Sequence, residues 1–175
     1  MSDHRIAILG NAGGGKSTLA RALATSLDLP HIEVDRLLWQ PGWNLAPIEI
    51  YDQGHGQAIA SECWIIDGLG RLESIEPRLR RASWIILIDM PLWVHFWLAA
   101  ERQIAWSHNL LAHPPADATT APPTEALFRV IWDVDKDWMP AIRDQVAFEK
   151  LQGKRVETIT TFDHLKRYTQ SKTTA

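Results

Sequence analysis

The chain has 175 residues, 46% of them hydrophobic and 22% charged, with a formal net charge of −3. That size and composition are those of an ordinary soluble protein built as one domain with a continuous core. The mild acidity leaves no electrostatic footprint for nucleic acid or an anionic membrane, and the single cysteine, Cys63, excludes an internal disulfide and a cysteine-based zinc cluster.

The amino terminus, Met-Ser-Asp-His-Arg, is too polar for a secretory signal, so the expected location is the cytoplasm. Ile6 to Leu9 is a short apolar run, and Arg5 to Leu9 reads as a first strand. Gly10 to Ser17 then reads G-x-x-x-x-G-K-S, and Leu19, Ala20, Leu23 and Ala24 recur at helical spacing, which predicts a helix from Lys16 to Leu27. Strand, glycine turn and helix start occur in the order of a phosphate-binding P-loop. Gly13, Gly14 and Gly15 lack a Cβ, so phosphate oxygens can approach the backbone. The loop of Gly10, Asn11, Ala12, Gly13, Gly14 and Gly15, with Lys16, Ser17 and Thr18, forms a nest of amides backed by the positive end of the helix. Lys16 supplies an ammonium for the β and γ phosphates, and the Ser17 hydroxyl is placed to ligate Mg²⁺. The expected ligand is therefore a nucleoside triphosphate, ATP, with Mg²⁺.

Asp28 and Pro30 close the first helix, and His31 to Val34 is a second strand ending at Asp35. Residues 36–43 read as a loop with two tryptophans, and Pro47 to Ala60 as a helix weakened by Gly54 and Gly56. Cys63 to Ile66 is a third strand, followed by Asp67-Gly68-Leu69-Gly70-Arg71, a short helix over Ser74 to Arg81, and a fourth strand, Trp84 to Ile88. Pro91 to His108 is helical. Trp84 to Trp106 is long and apolar enough to suggest a membrane span, but Asp89, Pro91, His95, Glu101 and Arg102 within it argue for a strand, turn and partly buried helix instead. Residues 112–123 have no apolar period and read as an extended loop. Thr124 to Trp138 and Pro140 to Lys150 are helical pieces, Arg155 to Ile159 is a fifth strand, and Phe162 to Tyr168 is a terminal helix before a frayed tail. Most of the nine tryptophans are expected in the core or between helices. Strands alternating with helices predict an α/β fold, a parallel sheet between helical layers. Asp35, Asp67, Asp89 and Thr160 all follow predicted strands, where ligands of such sheets gather.

With these residues in view, the chain resembles the adenylate-kinase-like small P-loop kinases. Asp67-Gly68-Leu69-Gly70-Arg71 is similar to their D-G-x-x-R segment. His31-Ile32-Glu33-Val34-Asp35 with Trp39 and Pro41-Gly42-Trp43, and Arg78-Leu79-Arg80-Arg81-Ala82 before the fourth strand, look like the branch labelled topology-modulation proteins. The resemblance implies a three-layer P-loop NTPase fold with a five-stranded parallel sheet in the order 2-3-1-4-5, and one kinase-like domain over residues 1–175. An acceptor flap would span about residues 36–62 and a lid about residues 102–124. It also implies γ-phosphoryl transfer to a small acceptor, such as a nucleoside monophosphate. Arg71 would contact transferring or acceptor phosphate, Arg102 would stand at the lid base, and Thr160 and Thr161 would touch adenine and ribose. The lid departs from the pattern, because no arginine lies between Arg102 and Arg129.

Several residues keep two readings. Asp35 is an acceptor base or a helix N-cap. Asp67 holds a Mg²⁺-bound water, with Asp89 its rival. Arg71 is a phosphate ligand or a surface arginine, and Trp39 and Trp43 stack an aromatic acceptor or pack the flap onto the body. His95, His108 and His113 make no metal-ligand spacing with a cysteine, and His108 and His113 read as solvent-exposed. The competing function is a nucleotide switch or hydrolase working through a protein partner. Asp67-x-x-Gly70 mimics a GTPase element, but no N-K-x-D segment follows.

Overall fold

A computed structural model describes residues 4–111 and 121–173. Nine residues of the expected lid loop, 112–120, lie outside that range, as does His113. The first strand, β1 (Arg5–Gly10), leads through the glycine loop to α1 (Lys16–Leu27), which stops where Asp28 adopts a left-handed backbone with φ of 51°. β2 (His31–Glu33) passes into a five-residue helix, α2 (Val34–Leu38). The second strand is thus shorter than expected, and the start of the loop is helical.

Trp39–Gln40 (β3) and Asn44–Leu45 (β4) pair antiparallel as a hairpin before α3 (Ile48–Ala60). Gly42 and Trp43 carry φ of 78° and 61° at its tip, and the Asn44 side chain donates to the Pro41 carbonyl at 3.0 Å. β5 (Trp64–Asp67), a 3₁₀ turn at Leu72–Ser74 and α4 (Ile75–Arg81) follow, then β6 (Trp84–Ile88) and α5 (Leu92–Ser107). The second arm is α6 (Thr124–Asp133), a π-helical turn over Val134–Trp138, α7 (Met139–Leu151), β7 (Arg155–Ile159) and α8 (Phe162–Thr173). The terminal helix continues to Thr173, so the segment expected to fray is helical.

The large sheet is five-stranded and parallel, in the order β2-β5-β1-β6-β7. The numbering differs from the expected 2-3-1-4-5 because the β3–β4 hairpin adds two strands to the chain count; the hairpin forms its own sheet. Side chains alternate across the sheet. Ala7 and Leu9 of β1 join Ile66, Leu79, Ile142 and Val146 on the face covered by α4 and α7. Ile6 and Ile8 join Leu19, Leu23, Ile86 and Leu165 on the face covered by α1 and α8. Both faces of the centre are buried, so β5, β1 and β6 are apolar at nearly every position, whereas the edge strands β2 and β7 carry polar residues. Among the described residues no helix is long and apolar enough to cross a membrane, and α5 instead pins its Val94, His95 and Ala99 face onto the body.

Most of the tryptophans sit in the core or between elements, as expected: Trp64 and Trp84 are buried in the sheet, Trp138 packs against the core and Trp97 meets Phe162 of α8, whereas Trp93 is 66% exposed and Trp132 is also largely open.

Candidate phosphoryl-transfer site

The ends of β1, β2 and β5 converge on one edge of the sheet, which fixes the backbone of the site before any side chain is considered. Gly10 pairs with Ile88 in register and has φ of 145°, and a Cβ there would lie 2.4 Å from the Ile88 carbonyl oxygen. Gly13 and Gly15 have φ of 73° and 76°, the left-handed region that favours glycine. Gly15 precedes the first turn of α1, so the helix N-terminus opens onto the loop.

Other elements hold the loop from outside. Asn11 donates its side-chain amide to the Ile131 carbonyl of α6 at 2.7 Å, and accepts the Ala12 N–H at 2.7 Å. His95 of α5 donates from Nδ1 to the Ala12 carbonyl at 3.0 Å, which fixes its tautomer, and burial lowers its pKa. A Cβ on Gly13 would lie 2.7 Å from the His95 carbonyl oxygen, so α5 and the loop fit only with glycine there. Sequence reasoning gave His95 no role, because its partner lies 83 positions away.

Lys16 is 8% exposed, and its Nζ donates to the Asn11 carbonyl at 2.8 Å. Burial pushes its ammonium down from the usual lysine range, while Asp35 and Asp67 oppose that shift. Asp67, at the end of β5, is 2% exposed. Its Oδ2 accepts the Ser17 hydroxyl at 2.6 Å, and its Oδ1 faces His31 Nε2 at 2.6 Å. The rival carboxylate is engaged elsewhere: Asp89 takes three bonds of 2.8–3.0 Å from Arg143. A hydroxyl beside a carboxylate offers the hard oxygen donors that Mg²⁺ takes alongside water and substrate phosphates. Among the described residues no group of three or more His, Cys, Asp or Glu forms a metal cage. The donor set therefore fits a cation shared with a nucleotide.

Asp35 does not cap α2. Its Oδ1 accepts the Gly70 N–H at 3.3 Å, tying the flap helix to the turn after β5. Crowding by protein pushes its carboxyl up, opposed by Lys16; the residue is nonetheless exposed at the surface, and solvent discounts that shift. Gly68 and Gly70, with φ of 104° and 66°, make the turn, and a Cβ on Gly70 would lie 2.0 Å from the Tyr51 hydroxyl. Tyr51 in turn shares a 2.8 Å hydrogen bond with Ser74 and stacks on His55, whose burial lowers its pKa to about 4.

Arg71 donates its backbone N–H to that hydroxyl at 3.2 Å, and its side chain turns to Glu73 at 3.9 Å. Arg102 lies on an exposed turn of α5 with its guanidinium 5.6 Å from the Trp106 ring centroid. Asp35 and Glu33 are the acids acting on it. Trp43 packs edge-on against both Trp39, at 5.9 Å, and Trp106, at 6.0 Å, so the hairpin is fastened to α5. Thr161 serves the backbone: its Oγ1 accepts the His164 N–H at 3.1 Å in the first turn of α8. Thr160 adjoins it after β7, and Thr18 is exposed on α1.

The residue that sequence reasoning treated only as part of a branch motif is Arg78. It is fully buried and donates Nη2 to the Leu69 carbonyl at 3.0 Å, while its Nε and Nη1 have no hydrogen-bond partner among the protein atoms. Burial lowers its pKa, and Tyr51, Asp35 and Asp67 are the groups that favour its charge. A buried guanidinium is costly unless carboxylates balance it. Arg78→Met is expected to change folding stability by no more than about 2 kcal/mol, because an orphaned carbonyl and a removed buried charge act in opposite senses. Acceptor turnover should still fall at least about tenfold as the Leu69 turn loses its anchor. Denaturant unfolding and turnover per folded molecule check this, and unchanged turnover would leave Arg78 a purely structural residue.

A G-x-x-x-x-G-K-S loop at the carboxyl edge of a parallel sheet packed between two helical layers defines a P-loop fold. No family model matches the chain, and no curated protein does. Among solved structures, shikimate kinase from Bacteroides thetaiotaomicron aligns at TM-score 0.51 and 14% identity, covering 96% of this chain and 95% of that one. A kinase candidate from Chloroflexus aurantiacus aligns at TM-score 0.53 and 16% identity, covering 97% of each. At such identities the likeness establishes the fold and leaves chemistry to the site.

Proposed function

We propose that the chain is an ATP-dependent phosphotransferase that moves the γ-phosphoryl group to a small acceptor held under the flap. The observation that carries this is the Ser17–Asp67 pair at 2.6 Å beside the buried Lys16. In this reading the amides of the loop and Lys16 bind the β and γ phosphates, and the Ser17 hydroxyl ligates Mg²⁺ with Asp67 behind it. Mg²⁺, when bound, would neutralise charge on the transferring phosphoryl group.

Asp35 faces the acceptor side, where a carboxylate can orient or deprotonate an incoming hydroxyl. Arg71 and Arg102 supply cations at the turn after β5 and at the lid base. Thr160 and Thr161 are proposed to meet the adenine and ribose. The D-G-x-x-R-like segment and the Trp39 and Pro41-Gly42-Trp43 flap support a place beside the topology-modulation branch, and a nucleoside monophosphate is one acceptor that reading allows. The kinase-fold likeness of the two solved structures supports a small-molecule acceptor. The domain reading, one unit with a flap over about residues 36–62 and a lid over about residues 102–124, and a cytoplasmic location belong to the same proposal.

The test is ADP release from ATP and Mg²⁺ across a panel of nucleoside monophosphates and small polar alcohols. A kinase shows ADP formation that depends on one acceptor class and a phosphorylated product. ADP formed at one rate with every acceptor and with none would replace this reading with a hydrolase or switch.

A further inference from the structure

His31 stands at the start of β2, the edge strand, and its ring reaches forward to the end of the neighbouring strand. β2 and β5 pair in parallel with His31 opposite Ile65 and Glu33 opposite Asp67. The imidazole therefore spans two register positions to place Nε2 2.6 Å from Asp67 Oδ1. Asp67 Oδ2 meets the Ser17 hydroxyl at the same distance, so both oxygens of a 2% exposed carboxylate are engaged.

The chemistry of that arrangement is directional. The terminal torsion of an aspartate is broad and soft. One hydrogen bond leaves the carboxylate free to rock about that torsion, whereas two bonds on opposite oxygens lock its plane. Ser17 is a donor towards Asp67, so its oxygen lone pairs are turned away from the carboxylate and remain available to a cation. A carboxylate only accepts, so the imidazole donates its Nε2–H to Asp67.

We propose that His31 is a positioning residue: it clamps Asp67 in the orientation that aims the Ser17 hydroxyl at the divalent cation of the nucleotide. This rests on the proposal that the loop binds Mg²⁺ with ATP. Groups that orient a ligand's partner typically change metal affinity 10–100-fold when removed. A histidine that merely pinned β2 to β5 would change stability and leave the cation untouched.

The test measures binding, not turnover. The affinity for a non-hydrolysable ATP analogue is titrated calorimetrically with saturating Mg²⁺ and with EDTA, in the parent chain, His31→Phe, His31→Gln, Asp67→Asn and the His31→Phe/Asp67→Asn pair. His31→Phe should reduce the Mg²⁺-dependent gain in affinity by about 10-fold or more, with affinity in EDTA within about twofold of the parent. His31→Gln, which keeps a side-chain N–H donor, should recover part of the gain. In the Asp67→Asn background, His31→Phe should have no further effect, because the two residues act as one unit. An undiminished Mg²⁺ gain in both His31 variants overturns the clamp, and a lowered melting temperature alongside it makes His31 a strand brace. If His31→Phe does not fold, His31→Ala, which removes the donor without adding bulk, takes its place in every titration. A parent chain that binds the analogue without any Mg²⁺ gain removes the metal reading itself, and the clamp falls with it.

Discussion

Lys16→Met is expected to lower phosphoryl transfer by about 10³-fold or more, and nucleotide affinity with it. The lysine is almost wholly enclosed, and its Nζ already sits on the Asn11 carbonyl at 2.8 Å inside the glycine loop. An ammonium held there meets the β and γ phosphates without reorganising, which is the condition under which a charge contributes most to a transition state. Methionine keeps similar length and volume but brings no charge: the cost of burying the ammonium disappears, while the Asn11 carbonyl loses a donor and Asp67 a nearby cation. These act in opposite senses, so thermal unfolding should shift far less than activity. The parent protein should also lose nucleotide affinity on the alkaline side at a lower pH than an exposed lysine would allow, because burial depresses the ammonium pKa and binding needs the protonated form. Calorimetric titration of both proteins, and of the parent across alkaline pH, checks each part. Parent-like affinity in Lys16→Met would remove the phosphate site from this loop.

The loop was legible in the sequence because its requirement is written in residue type. Positive φ at Gly13 and Gly15 and the close approach of Gly10 to Ile88 permit little but glycine. The alternation of Ala7 and Leu9 with Ile6 and Ile8 likewise announced a strand buried on both faces, and Asp67 was legible by its place at the end of β5. What stayed hidden depends on geometry that no local pattern encodes. His31 reaches Asp67 across 36 positions through the register of two strands. Arg78 has three arginine neighbours within seven positions, at 71, 80 and 81, and nothing in residue type marks it as the buried one. The hairpin of two-residue strands is too short to show a period of two, and the π turn at Val134–Trp138 has no residue signature. Which tryptophans keep an open face was not legible either, since a large ring on a helix such as α5 can pack its neighbours and still face solvent.

Asp35→Asn is expected to lower acceptor phosphorylation by about 10²-fold or more while nucleotide affinity stays within a few-fold of the parent. Asparagine keeps a carbonyl oxygen for the Gly70 N–H, so the 3.3 Å bond that ties α2 to the turn after β5 survives the change. What is lost is the negative charge that Lys16 and Arg102 both feel, and with it the group able to accept a proton from an incoming hydroxyl. Arg71→Ala is the companion measurement. Its side chain turns to Glu73 at 3.9 Å, a long contact between a half-buried arginine and an exposed glutamate that contributes little to stability, so the variant should fold like the parent. If Arg71 swings from Glu73 to the acceptor or transferring phosphate, turnover falls with the variant; if it stays with Glu73, turnover is unchanged and the cation on that side is Arg102. Initial rates against acceptor concentration separate the cases, because a residue that only positions the acceptor raises KM, whereas a proton acceptor lowers kcat. Parent-like turnover in both variants would put the acceptor site away from the α2–β5 edge and leave Asp35 as a brace for the Gly68–Gly70 turn.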